Sequence, residues 1–151
     1  MIDVTYERFE TGEAERVRAI LVSEGLPADD VTPHLAHFIT ARRSGDVVGC
    51  VGLEPAGEDG LLRSLAVSAH LRGRGVGNAL CDELERHARE IGITRLFLLT
   101  TTAEEFFRRR GFSRIERDEA PPAIQSTREF STTCPASAVL MRKVIDSDSS
   151  R

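Results

Sequence analysis

Hydrophobic and polar positions alternate through IDVTYERF, residues 2–9, and that period of two predicts a first strand. GEAERVRAILVSEG then spaces Val17, Ile20, Leu21 and Glu24 at helical intervals, and Pro27 ends the helix. A short helical or irregular piece follows around Asp29 to His34. HFITARR and VVGCVGLE flank SGD, a turn-rich tripeptide of hairpin length, which predicts a strand pair. GLLRSLAV reads as a fourth strand. VGNALCDELERHAREIG sets Val76, Leu80, Leu84, Ala88 and Ile91 on one helical face, closed by Gly92. RLFLLT is almost wholly apolar, as a strand covered on both faces requires. TAEEFFRRRGF predicts another helix, opened by the capping pattern Thr102-x-x-Glu105 and stopped at Gly111, with Arg108, Arg109 and Arg110 against the negative end of its dipole. AVLMRKV is the last strand. The long stretch before it, SRIERDEAPPAIQSTREFSTTCPAS, starts as a strand, and Pro122 begins a short helix through about Phe130. Long excursions of this kind are often where a substrate is met.

A length of 151 residues suits one domain, assigned to residues 1–145, with DSDSSR at 146–151 as a flexible tail. With 29% charged and 40% hydrophobic residues the composition is that of an ordinary soluble globular protein. No apolar run approaches the roughly 20 residues that cross a bilayer. The N-terminus lacks a basic then apolar leader, so the expectation is a cytoplasmic protein with no membrane partner. The formal net charge of -4 argues against a nucleic-acid partner. Positive charge is nonetheless clustered, at Arg63, Arg72 and Arg74 and again at Arg108, Arg109, Arg110, Arg114 and Arg117, which fits a local anion site. Lys143 is the sole lysine and offers little Schiff-base chemistry. Cys50, Cys81 and Cys134 are an odd number without zinc-type spacing, so no metal and no disulfide framework is predicted. Cys50 and Cys81 fall among apolar positions and read as core, whereas Cys134, in TTCPASA, stays open, a single thiol being a poor trap for a metalloid.

The stretch RSLAVSAHLRGRGVGNAL, residues 63–80, holds the chemistry. A strand ending near Val67, a glycine-rich turn and a helix from about Gly75 aim several backbone N–H groups outward from the positive end of a helix, which is a phosphate-binding arrangement. The loop lacks the lysine of a Walker motif. A dinucleotide fingerprint also fails, because Asn78 or Leu80 stands where its last glycine belongs.

Arg72-x-x-Gly75-x-Gly77, placed between a fourth strand and a long helix, resembles the pyrophosphate loop of the GNAT superfamily of N-acetyltransferases. A second landmark, Ala103 to Phe112, lies at the matching distance, and the likeness spans roughly residues 47 to 112. A narrower resemblance, through LLRSLAV, FLLTTTAEEFFRRRGF, APPAIQSTREF and CPASAVLMRK, is to the arsenic-resistance-associated branch. Relatives there acetylate the amino group of phosphinyl or arsinyl amino-acid toxins.

The resemblance implies an α/β GNAT fold, a mixed sheet of about six to seven strands splayed between the fourth and fifth and flanked by about four helices. It implies acetyl-CoA as cosubstrate, with the pantetheine arm beside Leu65, Ala66 and Val67. The diphosphate would rest on Arg72, Gly73, Arg74, Gly75, Val76 and Gly77, with Thr102, Phe106, Phe107 and Arg110 also lining the coenzyme. Glu54, at the end of the third strand, is the candidate base that neutralises the incoming amine, or else a solvated strand-end residue. Arg63 is a candidate fork for an acceptor carboxylate or oxyanion, or else the partner of a surface carboxylate. Thr100 and Thr101 are candidate acceptor contacts, although helix capping accounts for part of the threonine run. The position where many relatives carry an acidic tyrosine is Phe107, which leaves an acyl-CoA-binding sensor as a rival to an enzyme. A protein or peptide acetyltransferase ranks below both. His34 and His37 read as surface residues. The expected partner is a small-molecule amine, and a homodimer is compatible with the family.

Overall fold

A computed structural model describes residues 3–128, 130, 131 and 137–145. The expected tail at 146–151 and Cys134 lie outside the described residues. The strands β1 (Thr5–Arg8), β2 (Ile39–Arg43), β3 (Asp46–Ala56), β4 (Asp59–Val67), β5 (Arg95–Thr100), β6 (Ser113–Ile115) and β7 (Val139–Val144) form a seven-stranded mixed sheet in the order β1-β2-β3-β4-β5-β7-β6. Among the described residues four α-helices accompany it: α1 (Ala14–Ser23), α2 (Val76–Glu90), α3 (Glu104–Arg109) and α4 (Pro122–Gln125). This is the expected GNAT architecture. β4 and β5 pair in parallel through Asp59↔Arg95, Gly60↔Leu96 and Leu61↔Phe97, and their described pairs end there, as the predicted splay requires.

The chain clusters into two compact units, residues 1–54 with 64–87 and residues 55–63 with 88–151. In the first, β1, β2 and β3 are antiparallel neighbours. The apolar face of α1 (Val17, Ile20, Leu21) packs with Val31, Leu35, Phe38, Cys50 and Ala66. Phe38 and Leu21 are fully buried, and each such side chain is worth about 1.5–3 kcal/mol of hydrophobic stabilisation. A 3₁₀ turn, Thr32–His37, links the helix to β2. Leu35 drops into the core from its middle and Phe38 from its end.

In the second unit β5 lies antiparallel to β7 from Arg95↔Val144 to Thr100↔Val139, and β6 pairs with β7 at the edge. Leu61, Phe97, Leu99, Ala120, Ile124, Ala138 and Leu140 form its core. At the start of β5 the Arg95 guanidinium grips Asp59 with two bonds, Nε to Oδ1 at 2.7 Å and Nη2 to Oδ2 at 3.1 Å.

Three local expectations change. The α2 face ends with Ala88. The helix stops at Glu90, where Ile91 N–H bonds Ala88 O and Ile93 N–H bonds the same carbonyl, so Ile91 is left exposed and Ile93 fills the core instead. The helix from Pro122 ends at Gln125 rather than near Phe130. The Ser126 and Thr127 hydroxyls donate to the Ala123 and Ile124 carbonyls, which a continuing helix would have used. Thr102 does not cap α3. Its N-cap is Ala103, and Thr100 Oγ1 accepts the Ala103 N–H at 2.9 Å, while Glu105 pairs with Arg108 and Arg109.

Candidate active site

The loop after β4 is pinned at both ends and open between them. Ser68 N–H bonds Val48 O at 2.9 Å, and buried Leu71 and Val76 anchor the two sides. From Arg72 to Gly75 the chain is exposed. Gly73 (φ 78°) and Gly75 (φ 85°) take the left-handed conformation that side chains resist. A Cβ at either would meet no atom within 4 Å, so the glycines serve backbone shape and not close packing. The first bond of α2 runs from Ala79 N–H to Gly75 O at 3.0 Å. Among the described residues, no backbone carbonyl accepts the N–H groups of Gly73, Arg74, Gly75, Val76 or Gly77. These donors stand at the positive end of a 15-residue helix, an arrangement suited to an anion with several oxygens. Arg72, itself exposed, pairs with Glu24 at the end of α1, and Arg74 is a second exposed guanidinium on the loop.

Glu54 belongs to the same unit and is not a solvated strand-end residue: it is only 7% exposed. The imidazole of His34 lies beside it, Nε2 to Oε2 at 3.7 Å. His37 and His87 pack ring on ring, centroids 5.3 Å apart, with Nδ1 of His37 3.0 Å from Nε2 of His87. One ring must donate and the other accept, so the pair holds complementary tautomers. Burial first, then the charges of Arg8 and His34, push the His37 imidazole below the usual histidine range. His34 and His37 are therefore partly buried members of a polar cluster, and the surface reading is corrected.

Ser64, three residues past the last β4–β5 pair, has φ 61°, a conformation costly for a non-glycine residue. The Cys50 thiol donates to its carbonyl at 3.4 Å. Burial pushes that thiol up to about 12, so it is an uncharged core group. Leu65 and Val67 are half-buried and Ala66 is buried.

Arg63, Thr100, Thr101, Thr102, Phe106, Phe107 and Arg110 fall in the second unit. Arg63 is 2% exposed, so it is a buried guanidinium and not a surface one. Thr101 and Thr102 are exposed. Phe107 is buried edge-on between Phe106 (5.0 Å) and Phe112 (5.5 Å), so this position supplies packing and no proton. Among the described residues no group of three or more His, Cys, Asp or Glu could hold a metal ion. No described helix is long and apolar enough to cross a membrane.

The polar cluster at Glu54 was missed by sequence reasoning, because its members are scattered from His34 to His87 and no spacing rule links them. Ser64 was missed because serine does not announce a positive φ.

Known proteins resemble this chain in two ways. An amino-acid acetyltransferase of Pseudomonas syringae pv. tomato is 37% identical over 98 residues, 64% of this chain and 23% of the relative. One from Ralstonia nicotianae is 33% identical over 112 residues, 73% of this chain and 24% of the relative. The chain thus spans about a quarter of the length of these curated relatives. Among solved structures, N-acetylglutamate synthase from Neisseria gonorrhoeae, complexed with coenzyme A and N-acetyl-glutamate, superposes with TM-score 0.82 at 24% identity, over 97% of this chain and 36% of that one. A Mycobacterium tuberculosis protein in complex with CoA superposes with TM-score 0.80 at 25% identity, over 93% of this chain and 98% of that one. The profile of the Acetyltransferase (GNAT) family matches residues 5–112, the span that carries β1 to β5, the open loop and Glu54, and the chain belongs to that family.

Proposed function

We propose that this chain transfers the acetyl group of acetyl-CoA to the amino group of a small amino acid. The observation that carries the reading is the arc of unengaged N–H groups from Gly73 to Gly77 at the start of α2, which fits a diphosphate. The relatives' description as amino-acid acetyltransferases supports the acceptor class. The coenzyme supplies a thioester, whose carbonyl carbon is open to attack by an amine. In this reading the chain's own residues bind and orient. The 72–77 loop holds the diphosphate, with Arg74 adding charge. The backbone of Leu65 to Val67 aligns the pantetheine arm. An N–H near Val67 faces developing negative charge, a kind of contact commonly worth ~3 kcal/mol.

Glu54 receives the proton that an ammonium group must lose before it can attack. Arg63, whose guanidinium is buried, holds the acceptor's carboxylate, since a desolvated fork binds an anion more strongly than an exposed one. Thr100 and Thr101 line the acceptor side, and Thr102, Phe106 and Arg110 the coenzyme. With Phe107 at the position of the usual acid, the leaving sulfur takes its proton without a phenol. The narrower sequence resemblance extends the acceptor class to arsenic- or phosphorus-containing amino-acid analogues.

Titration calorimetry with coenzyme A, followed by thiol release from acetyl-CoA against a panel of amino acids that includes phosphinyl and arsinyl analogues, tests the reading. Saturable coenzyme binding with acceptor-dependent thiol release is the expected result. Binding with no acceptor-dependent release favours the sensor, and absence of binding overturns both.

A further inference from the structure

We propose that His34 is the positioning residue that clears Glu54 of its proton, passing it to solvent between turnovers; the proposal rests on the acetyl-transfer reading above. Glu54 has a side chain only 9% exposed, so a proton collected there has a poor route to bulk water, whereas the neighbouring His34 side chain is 29% exposed. The 3.7 Å between Nε2 and Oε2 is closed by a small rotation or by one water. The imidazole receives a proton at Nε2 and releases one from Nδ1, so it conducts without moving far.

The surroundings hold the pair in place. In a 3₁₀ turn, residues i and i+3 eclipse, so His34 and His37 share a side of Thr32–His37. Among described groups, Glu54 on β3 is the negative neighbour of His34. Arg8 on β1 and His37 contribute positive charge or its potential nearby, and His87 on α2 holds His37 by the ring-to-ring bond. Arg18 on α1 ties down the first residue of the turn by donating to Thr32 Oγ1 at 2.7 Å. The turn is thus fixed at both ends.

The step balances. An acceptor ammonium gives one proton to the Glu54 carboxylate, and the neutral nitrogen forms the N–C bond as the C–S bond breaks. The second nitrogen proton ends on the departing sulfur. The proton on Glu54 leaves through His34, so one proton reaches solvent per acetyl group transferred.

The test uses the full chain. In His34→Gln, kcat with the best acceptor should fall about tenfold, a fraction of a general-base effect. The calorimetric Kd for coenzyme A should stay unchanged, and added imidazole should restore part of kcat. In the protein without ligands, ¹⁵N-histidine spectra should show the His34 ring signals moving on Glu54→Gln while those of exposed His70 do not. Unchanged kcat in His34→Gln, or His34 signals indifferent to Glu54→Gln, overturns the relay. A wild-type protein that transfers no acetyl group, with the ring coupling intact, supports the His34–Glu54 pair and overturns the acetyl-transfer reading instead.

Discussion

Replacing Gly52 by alanine tests whether the turn carrying His34 is positioned by the sheet beneath it. A Cβ at Gly52 would sit 2.3 Å from Cε1 and 2.4 Å from Cζ of Phe38, more than an ångström inside ordinary van der Waals contact. Phe38 is fully buried in the first unit's core and follows directly on Thr32–His37, so its ring has no solvent to move into. Overpacking a closed core costs about 1–3 kcal/mol. The same substitution regains about 0.5–1 kcal/mol by restricting the unfolded backbone. The net expectation is a loss of about 1–2 kcal/mol, or a Tm lower by roughly 2–8 °C for a protein of this size. Gly12→Ala is the control, because its Cβ would meet nothing within 4 Å. Urea and thermal unfolding of the three proteins measure the difference. If the ring yields by pushing the turn, kcat also falls while coenzyme affinity holds. A Gly52→Ala protein as stable as the Gly12→Ala control would refute the claim that this contact is tight.

Gly75→Ala should fold with about 1–2 kcal/mol less stability, since φ 85° disfavours a side chain. By calorimetry it should bind coenzyme A roughly tenfold more weakly, because relief of the strain turns the loop amides away from the diphosphate. Ser64→Gly should raise the urea midpoint slightly, by about 0.5 kcal/mol once the entropy of glycine is deducted from the relieved strain, whereas Ser64→Val should lower it. Stability should fall as pH drops below about 6.5, the ordinary histidine value: the folded His37 is held below that value, so the unfolded chain binds the extra proton first. His37→Gln should flatten that slope, and urea midpoints at several pH values between about 5 and 7.5 decide it.

Elements whose residues repeat at a regular period were legible in the sequence, because burial on one face imposes that period. The α2 stripe and the apolar β5 are examples. The open conformation of the 72–77 loop was legible for a different reason: glycine at residues 73 and 75 has no packing role, so its presence points to backbone conformation. What escaped is decided by neighbours distant in sequence. Three consecutive threonines, Thr100 to Thr102, offer equivalent hydroxyls, yet none caps α3, and the one at the end of β5, Thr100, accepts the N–H of the N-cap residue Ala103. Two isoleucines flank Gly92, and the tightened end of α2 selects Ile93 for the core. His37 and His87 meet only because the 3₁₀ turn and α2 are brought together by the fold.

The first unit combines two opposite treatments of polar groups. In the 3₁₀ turn, Thr32 is tied to α1, Leu35 and Phe38 are sunk in the core, and His37 is bound to His87, so little freedom remains to the backbone that bears His34. In the 72–77 loop the amides are left without backbone acceptors, and only the flanking Leu71 and Val76 are buried. A proton path needs fixed distances, because transfer falls off steeply with donor–acceptor separation, and packing supplies them. A diphosphate site needs donors already desolvated from one another and aimed outward, and left-handed glycines supply those at the cost of local stability. In the acetyl-transfer reading the second treatment is tolerable because a bound diphosphate would replace the missing acceptors, so coenzyme binding should stabilise this unit most at its loop. Hydrogen exchange at residues 73–77 should therefore slow on binding by far more than exchange in the turn, which is already held by its own contacts.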